Sequence, residues 1–236
     1  MSISPETVRL YVYGTREIST GAINLTDTKT LFVDPDGDDN GGRGIEYSDG
    51  NGNFVTFNPT LFGESDEYEF ARHFSIDFGD TFGFVILGTT TSAEDVPSVG
   101  TTTYLGDTLV LDDPLVGGRS AFRGIASLDA DFDNGLVDAM LGTGRPDTLT
   151  DIQVEDMIIS GNSFAGGNIT LLENGMDVTD TYIGGSLGSD AAGLFFGPIE
   201  QTNILSNFDG PGEIGGMAVI NGNTRLIEAY FLADIQ

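Results

Sequence analysis

The feature that most narrows the fold of this chain is a spacing. Apolar residues recur at every second position in short runs, and the runs follow one another at intervals of roughly 8 to 12 residues, broken by glycine, asparagine or aspartate. VRLYVYG, TLFVDP, NFVTFNP and HFSIDFG read this way in the first third, and TFGFVILG, TTTYLG, TLVLDD, GNITLL, GMAVI and LIEAYFLAD read this way later. Period two sends alternate side chains to opposite faces of a strand, so the expectation is an all-β barrel or sandwich. The best helical candidate is GESDEYEFARHFS, Gly63 to Ser75, where Tyr68, Phe70 and Phe74 offer one face; a loop leading into a strand fits it as well. The 34 glycines are spread through the chain and follow no fixed repeat, which suits turns, bulges and barrel corners.

Two stretches carry more detail. In ASLDADFDNG, Leu128, Ala130 and Phe132 alternate with Asp129, Asp131 and Asp133, so one face turns inward and the other meets water. Asn134-Gly135 is the dipeptide favoured in a two-residue type I′ hairpin. In AGLFFGP the strand is expected to end in a turn at Gly197 and Pro198, because proline supplies no ladder donor. Gly215-Gly216 fits a bulge or a corner where two backbones approach closely.

With 236 residues the chain can bury a core without covalent staples, and it contains no cysteine. Disulfides, thiolate metal sites, cysteine catalysis and a lipid-bearing cysteine are thereby excluded for this sequence. Its 37 acidic residues against 9 basic ones give a net charge of −28. Such a surface repels phosphate backbones, so nucleic acid is excluded as a partner; the charge favours a soluble monomer and steers cationic partners. No run of about 18 apolar residues is present, so no membrane-spanning helix is expected. MSISPETVRL lacks the layout of an export signal, and either a removed signal or a signal-independent route is consistent with that. Acidic, glycine-rich, cysteine-free composition is common among exported bacterial proteins and points to an extracellular setting.

DPDGDDNGGRG places Asp34, Asp36 and Asp38 at the first spacings of a calcium loop. Position six is Asp39 where glycine is needed, and position twelve is Ile45 where a bidentate glutamate is needed. It fails as an EF-hand and reads as an acidic hairpin tip, with structural or adventitious calcium at Asp34, Asp36 and Asp38 as the other reading. GGSLG, Gly184 to Gly188, matches a nucleophile-elbow pattern, but that device needs a strand turning into a helix and a histidine downstream. The sole histidine, His73, lies upstream. Adjacent carboxylates such as Asp112-Asp113 and Glu94-Asp95 could serve acid–base chemistry, yet pairs are expected by chance in so acidic a chain. No phosphate loop or dinucleotide fingerprint occurs, and the expectation is a protein without catalytic activity.

Several motifs resemble those of transferrin-binding-protein-like β-barrel surface proteins of bacteria, a group that includes haemophilin-like members. GTTTSAEDVPSVGTTTYLGD resembles the opening of the family's barrel, GIASLDADFDNGLVDAML its Asp-Phe strand and hairpin, and IISGNSFAGGNI its Ile-Ser-Gly-Asn-x-Phe-x-Gly strand. AGLFFGP followed by GEIGGMAVI resembles the Phe-Phe/Tyr-Gly-Pro and Glu-x-Gly-Gly signature, although IEQTNILSNFDGP separates the halves further than is usual.

The resemblance implies an eight-stranded antiparallel β-barrel over residues 80–236, preceded by a small β-rich handle over residues 1–79. It implies a non-catalytic surface or secreted binding protein associated with iron or haem acquisition, with a protein partner or haem as ligand. Two alternatives use the same barrel: a host-protein-binding surface antigen, and a structural or adhesive cell-surface component. For haem, His73 is the candidate axial ligand because no other imidazole or thiolate exists, Tyr68 and Tyr47 are candidates for a second ligand, and Arg72 is the cation for the propionates. An ordinary packed or surface histidine is the competing reading.

Overall fold

The computed structural model describes residues 8–14, 17–23, 29–31, 45–48, 54–59, 68–78, 81–114, 117–145, 149–201 and 209–236. Its contacts divide into two compact units, Met1–Leu61 with Arg72–Leu87, and Phe62–Ala71 with Gly88–Gln236.

The smaller unit contains a hairpin, β1 (Val8–Gly14) and β2 (Glu17–Ile23), in register from Val8 opposite Ile23 to Gly14 opposite Glu17. It also contains an antiparallel meander of β3 (Lys29–Leu31), β4 (Ile45–Ser48), β5 (Phe54–Pro59), β6 (Ala71–Phe78) and β7 (Thr81–Gly88), adjacent in that order. The described end of the helical candidate is loop and strand: Tyr68 to Phe70 are irregular, and the helical face that Phe70 and Phe74 offered gives way to the period-two run Phe74, Ile76, Phe78.

The larger unit comprises β8 (Thr101–Pro114), β9 (Ser120–Asp131), β10 (Leu136–Gly142), β11 (Leu149–Ser160), β12 (Ser163–Ala165), β13 (Asn168–Glu173), β14 (Met176–Asp177), α1 (Thr179–Ile183), β15 (Ser186–Gln201), β16 (Asp209–Gly222) and β17 (Arg225–Ile235). Hydrogen bonding runs β10-β9-β8-β17-β16-β15-β12-β11, and β11 pairs back to β10. Eight antiparallel strands therefore close on themselves, and β13 and β14 add two more beside β11. Closure removes the edges that an open sheet would expose.

The alternation in the sequence decides which side faces in. Val110, Leu128, Val137, Leu141, Ile152 and Ile227 lie in one apolar cluster, and each is almost wholly buried. Phe164 belongs to it as well, with ring centroids 5.4 Å from Phe195 and 6.4 Å from Phe231. Each such side chain contributes about 1.5–3 kcal/mol by leaving water. The interior is filled by side chains, as expected for a barrel of this strand number. Asp129 and Asp138 lie opposite one another on the exposed outer face. Among the described residues no helix is long and apolar enough to cross a membrane.

Three local expectations change. β15 does not turn at Gly197 and Pro198: it runs on to Gln201 through a register shift between Phe196 and Ile199. Gly197 takes φ +78°, so the pair is accommodated as a bulge that leaves proline outside the ladder. Gly215 and Gly216 lie in an unbroken stretch of ladder opposite Leu194 and Gly193. The need for glycine there is room: a Cβ on Gly216 would come within 2.3 Å of the Ala192 carbonyl oxygen, and one on Gly193 within 2.1 Å of the Phe164 ring. Finally, the β9–β10 connection has four residues, Phe132 to Gly135, because the Asp131 carboxylate accepts from both the backbone N–H and the side-chain amide of Asn134. Those bonds hold the Asp131 carboxyl below the usual range.

Candidate functional site

Asp112 lies near the end of β8, opposite Ile227 of the core, and so points into one mouth of the barrel. Neighbouring residues on a strand face opposite ways; Asp113 accordingly points outward, where it meets Arg119 at 3.7 Å. The adjacent carboxylates read as a candidate acid–base pair are thus split between two environments. Asp112 instead accepts from Arg145, from Arg225 at 2.8 Å and from the Tyr182 hydroxyl at 3.1 Å.

The partners of Asp112 arrive from distant parts of the chain. Arg145 follows Gly144, whose φ of +61° turns the backbone past Arg123. Tyr182 is carried by α1, which is tied to β13 where the Thr179 hydroxyl accepts the Leu171 N–H at 2.8 Å. The Arg225 guanidinium stacks 4.3 Å from the Tyr182 ring, and that of Arg145 lies 4.7 Å from the Phe122 ring. Burial, followed by the Asp112 charge, pushes the Tyr182 hydroxyl up to about 12, with the two arginines acting in the other direction. Two guanidiniums thus converge on one carboxylate at this mouth. A guanidinium does not exchange protons at ordinary pH, so both arginines stay charged beside the Asp112 carboxylate.

Near the other mouth is a second buried carboxylate, Glu213 of the GEIGG stretch. Its oxygens accept the backbone N–H groups of Glu69, Phe70 at 2.8 Å and Ala71 at 2.7 Å. Three successive amides converging on one carboxylate form an anion nest, here filled by the protein's own side chain. The arriving segment is fixed further by Tyr68, whose hydroxyl donates to the Leu232 carbonyl oxygen at 2.7 Å and accepts the Asp107 N–H at 3.2 Å.

The residues anticipated for ligand binding fall in different places. Tyr68 belongs to the larger unit, and burial, then the Asp107 charge, pushes its hydroxyl well above the ordinary tyrosine range, which disfavours a phenolate. His73 belongs to the smaller unit, where it is buried in β6 and stacks on Phe84 with centroids 5.3 Å apart. The backbone of Arg72 lies in β6, but its side chain lies outside the described residues, as do Asp34, Asp36 and Asp38. Among the described residues no cluster of three or more metal-ligating side chains occurs. Glu94 and Asp95 are exposed in a turn, and GGSLG runs from helix to strand, with Gly184 closing α1, which is the reverse of a nucleophile elbow.

Sequence reasoning did not find the Asp112 and Glu213 sites. One available signal was a carboxylate at an inward position of a strand, since such a group must find partners.

Comparison with models of protein families and with curated protein sequences gives no match. Comparison with solved structures does. The transferrin binding protein B of Haemophilus parasuis, described as a vaccine antigen, superposes with a TM-score of 0.58 at 14% identity, covering 96% of this chain and 44% of that one. The isotype 1 protein from serogroup B Neisseria meningitidis gives 0.55 at 16% identity, covering 92% and 41%. Intact Ap-TbpB, with its N and C lobes, gives 0.52 at 16% identity, covering 92% and 40%. The chain spans about two fifths of the length of these proteins. The fold is that of a transferrin-binding-protein B lobe.

Proposed function

From this lobe fold we propose that the chain is a non-catalytic binding protein of the bacterial surface, outer-membrane-exposed or secreted, that serves iron or haem acquisition by engaging a protein partner. The observation that carries the reading is the filled interior: Phe164, Phe195 and Phe231 occupy the space in which a barrel would hold a small ligand, so recognition belongs to the outside. The solved proteins of like fold are transferrin binding proteins, which makes transferrin the first partner to try. Residues 1–79 serve in this reading as a handle and residues 80–236 as the barrel. The test is interferometry with immobilised chain and with iron-loaded and iron-free transferrin. Saturable binding is expected, and its absence with both forms would reject this partner.

A second reading is favoured by the His73 imidazole packed on Phe84, an apolar setting that suits an axial haem ligand. Arg72 would meet the propionates; Tyr68 belongs to the other unit and its phenolate is disfavoured. Titration with haemin should then raise a Soret band that His73→Ala abolishes while the β circular dichroism stays unchanged. Any calcium at Asp34, Asp36 and Asp38 would be adventitious in both readings; a chelator is expected to move Tm by no more than a few degrees, and a large fall would make calcium structural.

A further inference from the structure

The outward faces of β8 to β11 form a continuous sheet surface with an apolar centre. Leu105, Ser127, Met140 and Gln153 stand side by side on the four strands, and Ile125 is one outward position along β9. Ile125 is 70% exposed, Leu105 43% and Met140 37%. Carboxylates outnumber cations around this centre: Asp107 lies opposite Ile125, Asp129, Asp138 and Glu155 line a shallow depression beside Met140, and Arg123, the next outward residue along β9, is the cation at the far side of Ile125.

The acidic side is built at a cost to the isolated fold. Asp129 and Asp138 are directly opposite one another, an arrangement that destabilises a sheet. The β10–β11 register shifts after Val137, and Asp156 takes φ +60° at this irregularity, an uncommon conformation for a non-glycine residue. Its N–H donates to Asp138 at 2.7 Å, and the Thr103 hydroxyl donates to Asp129 at 2.6 Å. The shift sets Glu155 and Asp156 together where regular alternation would place one outward residue. Like charges gathered around exposed aliphatic groups do not help the barrel to fold. They match a surface of opposite sign that also covers the apolar centre.

We propose that this face docks a cationic protein segment, one presenting lysine or arginine around aliphatic side chains. The inference rests on the protein-binding reading above and names the chemistry of the partner. A phosphate-bearing lipid surface or a second copy of a chain with net charge −28 meets repulsion here.

The experiment measures fluorescence anisotropy of a short labelled peptide alternating lysine and leucine, with a lysine–serine peptide as control, at physiological salt. The lysine–leucine peptide should bind with saturation and the control at least several-fold more weakly. Asp129→Lys/Asp138→Lys should weaken binding roughly tenfold and Ile125→Ser/Met140→Ser several-fold, whereas Glu94→Lys/Asp95→Lys, an equal charge change elsewhere, should leave it near wild type. Equal losses from both charge-reversed variants would reduce the effect to net charge and overturn the proposal. So would loss of a dimer in Ile125→Ser/Met140→Ser, or binding of the wild type to phosphatidylglycerol vesicles that this variant loses. Transferrin binding that survives Asp129→Lys/Asp138→Lys would reject this face while leaving the proposed function intact, and peptide binding without transferrin binding would do the reverse.

Discussion

The barrel buries a carboxylate near each mouth and holds the two by opposite means. Asp112 is held by side chains of separate elements, two guanidiniums and a phenol, so its site exists only once β8, β17, α1 and the end of β10 have assembled. Glu213 is held by the N–H groups of three consecutive residues, 69–71, so its site needs one strand and one short segment. A buried charge can be neutralised by opposite charge or by oriented dipoles, and the consequences of removing it differ. Without Asp112, the Arg145 and Arg225 guanidiniums lose the carboxylate they share. Without Glu213, three neutral amides lose an acceptor that water can partly replace at the exposed Glu69 end.

The largest effect should therefore follow Asp112→Ala. Breaking a buried pair from one side typically costs about 3–5 kcal/mol, since it strands the remaining charge. For a domain of this size that corresponds to a fall in Tm of roughly 10 °C. Adding Arg225→Met to Asp112→Ala should recover part of the loss by removing one stranded cation. Thermal denaturation of the three proteins decides the matter, and a double variant no better than the single would show that the cations were not the source of the penalty.

Glu213→Ala should cost less, about 2–4 kcal/mol, from three amides that lose a charged acceptor. The damage should be local. Hydrogen exchange at the amides of Glu69, Phe70 and Ala71 should rise sharply, while those at the middle of β17 stay protected. Uniform acceleration throughout the barrel would mean that Glu213 supports the whole closure, and the contrast with Asp112 would vanish.

How much of this could be read in advance follows from which physical signals are local. The barrel strands show themselves as period-two runs, and the buried Leu128, Ala130 and Phe132 against outward Asp129 and Asp133 follow directly from that alternation. Gly216 and Gly193 were harder: both are demanded by rings and carbonyls of other strands, so the sequence shows a glycine but not the neighbour that requires it. Asp112 and Asp113 looked like a pair because they are adjacent, and strand geometry separates them. Arg145 and Arg225 lie 33 and 113 positions away from Asp112, beyond any local pattern. The Glu213 nest was hidden for another reason, since its partners are backbone amides and any residue other than proline supplies one.

A third buried carboxylate, Glu228, gives the smallest and most discriminating test, because it lies between the two modes. Arg119 donates to Glu228 at 2.8 Å and also faces Asp113, and a hydrogen bond with the Tyr230 side chain acts to lower the Glu228 pKa. Burial raises the pKa of Glu228, the Arg119 charge opposing and the Asp113 charge adding to the rise. A folded carboxyl with a raised pKa binds protons more tightly than the unfolded one, so its contribution to stability is full below about 4.5 and declines as pH rises through the folded value. Glu228→Gln removes that dependence. The variant loses the charge-assisted bond to Arg119 at every pH where that bond forms, but its stability relative to wild type should improve between pH 4 and pH 7, by about 1 kcal/mol or less. Urea denaturation of both proteins at the two pH values measures the difference. Relative stability that falls over this interval would place Glu228 with Asp112, as a carboxylate whose cation more than offsets its burial, and the intermediate position argued for it would be lost.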